Sequence, residues 1–391
     1  MAENKAENLV VKRYYPELDG LRAIAVLLVL WWHSSQWAYN ITPALGAFSN
    51  MYASISIIGA LGVSLFFALS GFLISGILMD LSERKDYLKV FYIRRFFRIF
   101  PLYYLSIIVI SILSILYIQN FNLGDRIWYY VFYLQNIDRL FYGELPFEDE
   151  RWLFFNHFWS LAIEEHFYII WPLLFVWMYR NLSFSVCVCS MLCIAIISAC
   201  IRYIMAVGGM WEHAQLFTFS RVDALILGSV LAYIMNSNMS DSIMPVLKKL
   251  SCKIAPLSPV ILSISVLYFS QYESIFVIYA KYMILLGGVF SFFLLVYVIN
   301  VSYDKSLFQK VLCSGAFKYL SQISYGFYIF HIPILSVIQY YLLEHTSLGY
   351  WDNHIILFLL GGVITLSVAS LSYYYFEKPI LRLKDKYAPL N

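Results

Sequence analysis

Apolar runs of about 20 residues, each closed by a short polar cluster, recur along the whole of this chain. One of them, GVSLFFALSGFLISGIL, extends from Gly62 to Leu78 without a charged side chain. Backbone placed in hydrocarbon has no water to bond, and a helix is the one element that satisfies its N–H and C=O groups within a single segment. The pattern therefore predicts an all-α polytopic membrane protein with about ten transmembrane helices, at 17–37, 56–80, 99–119, 159–179, 184–206, 217–236, 256–271, 276–300, 319–343 and 354–376. Composition agrees, since 13% of the 391 residues are charged where a soluble domain carries about a quarter. Ile127–Gln135 is too short to span and is expected to lie at the interface.

Basic residues orient this layout. Counted against the ten spans, 20 Lys and Arg fall on the side of the N-terminus and three, Arg126, Arg139 and Arg151, on the other. That asymmetry predicts that both termini are cytoplasmic. It divides the chain into an N-terminal tail (1–16), a transmembrane domain (17–376) and a cytoplasmic C-terminal tail (377–391). The net charge of +3 then reports topology, with the bilayer as partner and no nucleic acid. The first apolar run is expected to be a retained helix, because no small-residue cleavage site follows it. Of the six cysteines, Cys187, Cys189, Cys193 and Cys200 share one helix, and Cys252 and Cys313 are expected in loops. None has a metal-ligand spacing, so packing is their expected role and no metal site is predicted.

The first run, LDGLRAIAVLLVLWWHSSQW, is the least apolar. Arg22 and His33 lie eleven residues apart, close to three whole turns, so they share a face at roughly 16 Å separation. A cation and an imidazole are costly in lipid unless they face an internal polar cavity. This stripe is the first sign of a catalytic site.

Three further clusters carry chemistry. In SERKDYLKVFYIRRFFRIFPLYY, Arg95 and Arg98 are three apart at a helix start. Topogenic charge and phosphate binding both account for them. In HFWSLAIEEHFYIIWP, His157, Ser160 and Glu164 share a helical face, while Glu165 and His166 turn away from it. Adjacent carboxylates in a span need a donor or a cation, either as a structural clamp or as chemistry. Ser160 is expected to cap the helix rather than to act as a nucleophile. Helix rise puts His33, Glu164 and the His331 of SYGFYIFHIP at a common depth in a core of about 30 Å. Arg221 and Asp223 are expected to pair or to line an entrance, Glu377 to hold a loop arginine, and His213, His345 and His354 to be solvated.

Together these segments resemble the membrane-bound acyltransferase-3 family. ELDGLRAIAVLLVLWWH, GVSLFFALSGFLISGIL, RRFFRIFPLYY, FWSLAIEEHFYIIWP, RVDALILG, SYGFYIFHIPIL and YFEKP follow one another in the family's order over nearly the whole chain. His166 stands where the family commonly has Gln. Because it faces away from Glu164, little effect on chemistry is expected. Family members often carry a C-terminal extracytoplasmic esterase-like domain, and this chain is expected to lack one.

The resemblance implies a multi-pass enzyme of the bacterial cytoplasmic (inner) membrane. It would move an acyl group, usually acetyl, from acyl-coenzyme A to a hydroxyl of a cell-surface or lipid-linked carbohydrate. O-antigen of lipopolysaccharide, capsule, exopolysaccharide and peptidoglycan all fit. Arg22, Arg95 and Arg98 are then expected to hold the donor's phosphates, and His33 to act as general base with Glu164 or Glu165 orienting it. Asp19, Trp159, Ser160 and Tyr325 would join Arg221, Asp223 and His331 along the substrate path. Two alternatives stay open from the residues alone: an acyl-enzyme relay through a Ser or Tyr, and a flippase working without chemistry. The first reading requires that Arg22, His33, Arg98 and Glu164 line one continuous cavity.

Overall fold

The computed structural model describes residues 15–41, 46–117, 127–137, 156–269, 275–301, 306–345 and 347–389. Residues 1–14 of the N-terminal tail and the outer-loop residues Arg126, Arg139 and Arg151 lie outside them. No strand occurs among the described residues. Among the described residues ten long helices form the bundle: α1 (Pro16–Ile41), α2 (Leu61–Leu81), α3 (Tyr87–Tyr117), α4 (Trp159–Asn181), α5 (Phe184–Val207), α6 (Asp223–Met235), α7 (Ser240–Phe269), α8 (Ile284–Val301), α9 (Ser324–His345) and α10 (Tyr350–Ser372).

Among the described residues, seven helical segments are long and apolar enough to cross a membrane. The count is eight if α9 is joined to the short helix Gly315–Gln322, which meets it at 72°. The protein is thus a membrane protein, with fewer self-evident spans than the ten expected. The two helices that fall short are α1 and α6, each for a physical reason. The charged first turn and the polar stripe of α1 lower its hydropathy. At 13 residues, α6 rises only about 20 Å, and nearly all of it is buried. The first falls short by polarity and the second by length, its apolar residues being buried against neighbouring helices.

At the centre stands α2, which packs on α1, α4, α6 and α8. In its span 78% of the apolar window is buried, against 22% in α5, α7 and α10. Glycines set its closest crossing. A Cβ on Gly71 would lie 1.8 Å from the Leu225 carbonyl oxygen of α6, and one on Gly228 would lie 2.0 Å from the Ala68 carbonyl oxygen of α2. Backbone meets backbone there, so neither helix can yield locally. Gly71→Val is therefore expected to cost at least about 3 kcal/mol, as overpacking does at rigid sites. Loss of the monodisperse peak on size exclusion checks this, against Gly76→Ala, whose added Cβ meets nothing within 4 Å.

Several elements differ from expectation. The span expected to begin at Pro256 is the second half of α7, whose interior accommodates Pro245, Pro256 and Pro259. Lys248, Lys249, Lys253 and Cys252 therefore ride on a helix rather than a loop. All six cysteines are free, and Cys187 is the buried one. The bend before α9 lies beside Ser321, whose hydroxyl donates to Asp19 in the first turn of α1. The break is thus at one end of the bundle, not at its middle. Beyond α10, the last helix (Lys378–Tyr387) docks on α3. Arg94 bonds Asp385 at 3.0 Å and the Ala388 carbonyl at 2.7 Å, and Phe97 stacks on Tyr387.

Candidate active site

A cavity of about 240 Å³ opens between α1, α2, α3, α4 and α9. Its polar lining is Arg22, Arg95, Arg98, Ser160, Glu164, Glu165, Tyr168, Tyr325 and Tyr328, with Ser70 and Ser324. One short segment thus separates structural from available cations. Arg94 is locked to the C-terminal helix, while Arg95 and Arg98 form no hydrogen bond or ion pair with any described residue. Arg95 lies against the faces of Phe91 and Tyr168 at 5.7 and 5.5 Å. Arg22 is held by Asp19 at 3.3 Å. Three guanidinium groups facing one cavity give it the chemistry to hold an anion, because each presents a planar fork of donors.

The carboxylates sit at this same end. Glu164 meets the Tyr168 and Ser70 hydroxyls, which are bonded to each other. Glu165 is buried, and its Oε1 has no hydrogen-bond partner among the described residues. Glu165, Arg95 and Tyr168 also line a second cavity of about 450 Å³, otherwise mostly aromatic, with Phe96, Phe97, Phe100 and Phe132. His166 turns away as expected and pairs through Nδ1 with the Thr218 hydroxyl at 2.7 Å.

His33 lies beyond the cavity's lining. Its ring is 5.1 Å from that of His331, which is 5.0 Å from His157, which in turn is 5.3 Å from Tyr328 on the cavity wall. Each imidazole has one nitrogen on a backbone carbonyl: His33 Nδ1 on Val29 at 2.9 Å, His331 Nδ1 on Tyr328 at 2.5 Å and His157 Nε2 on Ile329 at 3.1 Å. A carbonyl only accepts, so those nitrogens carry the protons and the opposite ones are left as bases. His157 Nδ1 and His331 Nε2 are buried without a partner among the described residues. Among the described residues no cluster of His, Cys, Asp or Glu has metal-holding geometry.

Three of the four residues required to share a cavity do so; His33 is placed one layer further on, and it makes no hydrogen bond to Glu164 or Glu165. The Val29 carbonyl fixes its tautomer. Ser160 does not cap α4. Its hydroxyl is bonded to that of Tyr328 at 2.5 Å, and both reach the His157 carbonyl at 3.1 Å. The Tyr325 hydroxyl donates to the Ile99 carbonyl at 2.8 Å. Glu377 accepts from Ser372 at 3.1 Å rather than pairing with a loop arginine. His354 is buried on α10 against the Tyr52 hydroxyl, not solvated.

Asp223 pairs not with Arg221 but with Arg202 of α5, at 2.7 Å and with both side chains almost fully buried. Removing one partner of a buried pair strands the other charge, so Asp223→Ala is expected to cost about 3–5 kcal/mol. A thermal unfolding scan in detergent checks it; an unchanged midpoint would contradict the pairing. His157, which the sequence places on the face of Ser160 and Glu164, joins the site, and Tyr328, Tyr168, Ser70 and Arg202 complete it and its frame without standing out in the sequence. Tyr328 is within reach there, three residues before His331 and so on its face.

Comparison with known proteins gives this arrangement its context. A family model described as an acyltransferase domain matches residues 15–374. Peptidoglycan O-acetyltransferase OatA of Listeria monocytogenes is 29% identical over 388 residues, covering 94% of this chain and 56% of its own. Bacillus subtilis YrhL, provisionally named for the same activity, is 29% identical over 390 residues, covering 94% and 55%. A provisionally named O-acetyltransferase of Staphylococcus aureus is 27% identical over 379 residues, covering 94% and 57%. The chain spans a little over half the length of these curated relatives. No solved structure matches it. With the matched region running from the head of α1 into the turn that follows α10, the chain belongs to the acyltransferase-3 family.

Proposed function

We propose that this protein transfers an acyl group, acetyl in the simplest case, from cytoplasmic acyl-coenzyme A to a hydroxyl of a cell-surface carbohydrate at the bacterial cytoplasmic membrane. The observation that carries the reading is a pair of arginines, Arg95 and Arg98, without ionic partners among the described residues, inside the cavity that Arg22, Glu164 and Ser160 also line. The donor is a polyanion with a long neutral arm. Its phosphates need several cations at one end of a cavity, and its thioester needs a path onward to a base. The arginine end supplies the first, and the wall at Tyr328 and Ser160, backed by three imidazoles, supplies the second.

In this mechanism His33 takes the acceptor's proton on Nε2 as the hydroxyl oxygen bonds to the thioester carbonyl carbon. The C–S bond then breaks, and the imidazolium returns the proton to the departing thiolate, leaving an ester and a free thiol. His331 and His157 offer their bare nitrogens to further acceptor hydroxyls, which suits a polyol better than an anionic ligand. Glu164 and Glu165 act from the donor side, where Arg95 faces them. Asp19 positions Arg22, and Trp159 and Tyr325 shape the path between the two ends. Peptidoglycan, the substrate in the name of the Listeria relative, is the first acceptor to try.

Purified protein given acetyl-coenzyme A and muropeptides should release free thiol and form ester-linked acetate. No thiol release with any of peptidoglycan, capsule or O-antigen fragments would defeat the reading.

A further inference from the structure

Arg221 is a buried cation that forms no ion pair and no hydrogen bond with any described residue, Asp223 and the Tyr279 hydroxyl being its nearest electrostatic neighbours. It is 1% exposed, and none of its three guanidinium nitrogens has a hydrogen-bond partner there. Asp223, two residues on, is taken by Arg202, whose other guanidinium nitrogen donates to the Ser220 carbonyl at 2.5 Å. The Tyr279 hydroxyl, the remaining polar neighbour, donates to the Ala60 carbonyl at 3.4 Å. What holds Arg221 is a corner of two rings, Phe67 at 5.6 Å and Trp159 at 5.3 Å, themselves edge to face.

Cation–π contacts return less than it costs to strip a guanidinium of water and leave its donors unmet. The fold would be more stable with an apolar side chain of similar length at this position. A charge kept at such a cost belongs near chemistry that uses it, and its surroundings indicate which. Phe67 lines the arginine cavity, and Trp159 precedes Ser160, whose hydroxyl is bonded to Tyr328. The charge is one aromatic layer from that wall.

We propose that Arg221 is an electrostatic positioning residue for acyl transfer, a fixed positive charge that stabilises the negative charge developing at the Tyr328–Ser160 wall. The inference rests on the acyl-transfer reading above. As the acceptor oxygen bonds to the carbonyl carbon and its proton moves to His33, negative charge builds on the carbonyl oxygen. It passes to sulfur when the C–S bond breaks, and the thiolate is then protonated. The rings keep Arg221 from pairing with the anionic donor, so it does not contribute to ground-state binding. That is the condition for a charge to raise turnover rather than affinity.

The test compares full-length Arg221→Met and Arg221→Lys with wild type in detergent, reading melting temperature, kcat and donor KM for acetyl-coenzyme A. Arg221→Met is expected to melt about 2–4 °C higher, as removal of an unpaired buried charge permits. It is also expected to lose about 100-fold in kcat with donor KM nearly unchanged. Arg221→Lys, which keeps the charge, should recover at least a tenth of wild-type turnover. Wild-type kcat in Arg221→Met, a lowered melting temperature with kcat retained per folded molecule, or a Lys variant as inactive as Met would each overturn the inference alone. Wild-type protein that releases no thiol with any acceptor would overturn the transferase reading and this inference with it.

Discussion

Replacing His33 with alanine should abolish acyl transfer while leaving a folded protein that still binds its donor. A general base contributes about 10²–10⁴-fold to turnover, so the remaining rate should fall to the edge of detection. The fold has little at stake, because the ring is half-buried and its one described hydrogen bond goes to the carbonyl one turn back in its own helix. Donor binding has little at stake either, since His33 lies outside the cavity that holds the arginines. His33→Asn sharpens the test, because its amide nitrogen falls where the ring Nδ1 does. An amide can still donate to the Val29 carbonyl but has no basic nitrogen, so it should be as inactive as alanine. Thiol release measured beside coenzyme-A-induced thermal protection separates the two effects. Near-normal thiol release by either variant would remove His33 from the mechanism.

The double change Arg95→Ala, Arg98→Ala should fail in the opposite way. Hydrogen bonds to charged groups are worth about 1.5–3 kcal/mol each, so losing both should raise the donor KM by about 10²-fold or more, with a smaller change in kcat. Arg94→Ala makes the informative comparison. It removes the same charge from the same segment, but from a side chain committed to Asp385 and Ala388. Its main consequence should be a loosened C-terminal helix and a lower melting temperature. A donor KM raised equally by Arg94→Ala and by the double change would show that only general positive charge matters here.

The sequence made some of this site legible and hid the rest for a consistent reason. Helical spacing tells which residues share a face, and that alone groups Arg95 with Arg98, and Ser160 with Glu164. Matching depths bring His33 and His331 to one level, and their rings are indeed neighbours. Depth carries no lateral information, however. Glu164 shares that level by rise alone, yet it faces the arginines. Periodicity is equally silent about partners from other helices, so Arg202, on α5, could not be seen as the counter-ion of Asp223. Nor could the basic run reveal that Arg94 is committed to the C-terminal helix while its neighbour faces the cavity. The apolar pattern finds α1 and α6 as spans, but it does not show that α6 is only 13 residues long or that α1 spends much of one face on polar groups.

The helix Lys378–Tyr387, which the sequence presents as a tail, has a practical consequence. It is clamped to the same turns of α3 that carry Arg95 and Arg98. A reporter or affinity handle fused rigidly after it would load that clamp and, through it, the turns that carry Arg95 and Arg98. A long flexible spacer at that end, or a handle at the other, avoids this, and an apparent defect in donor use by a C-terminal fusion should be traced to its linker first.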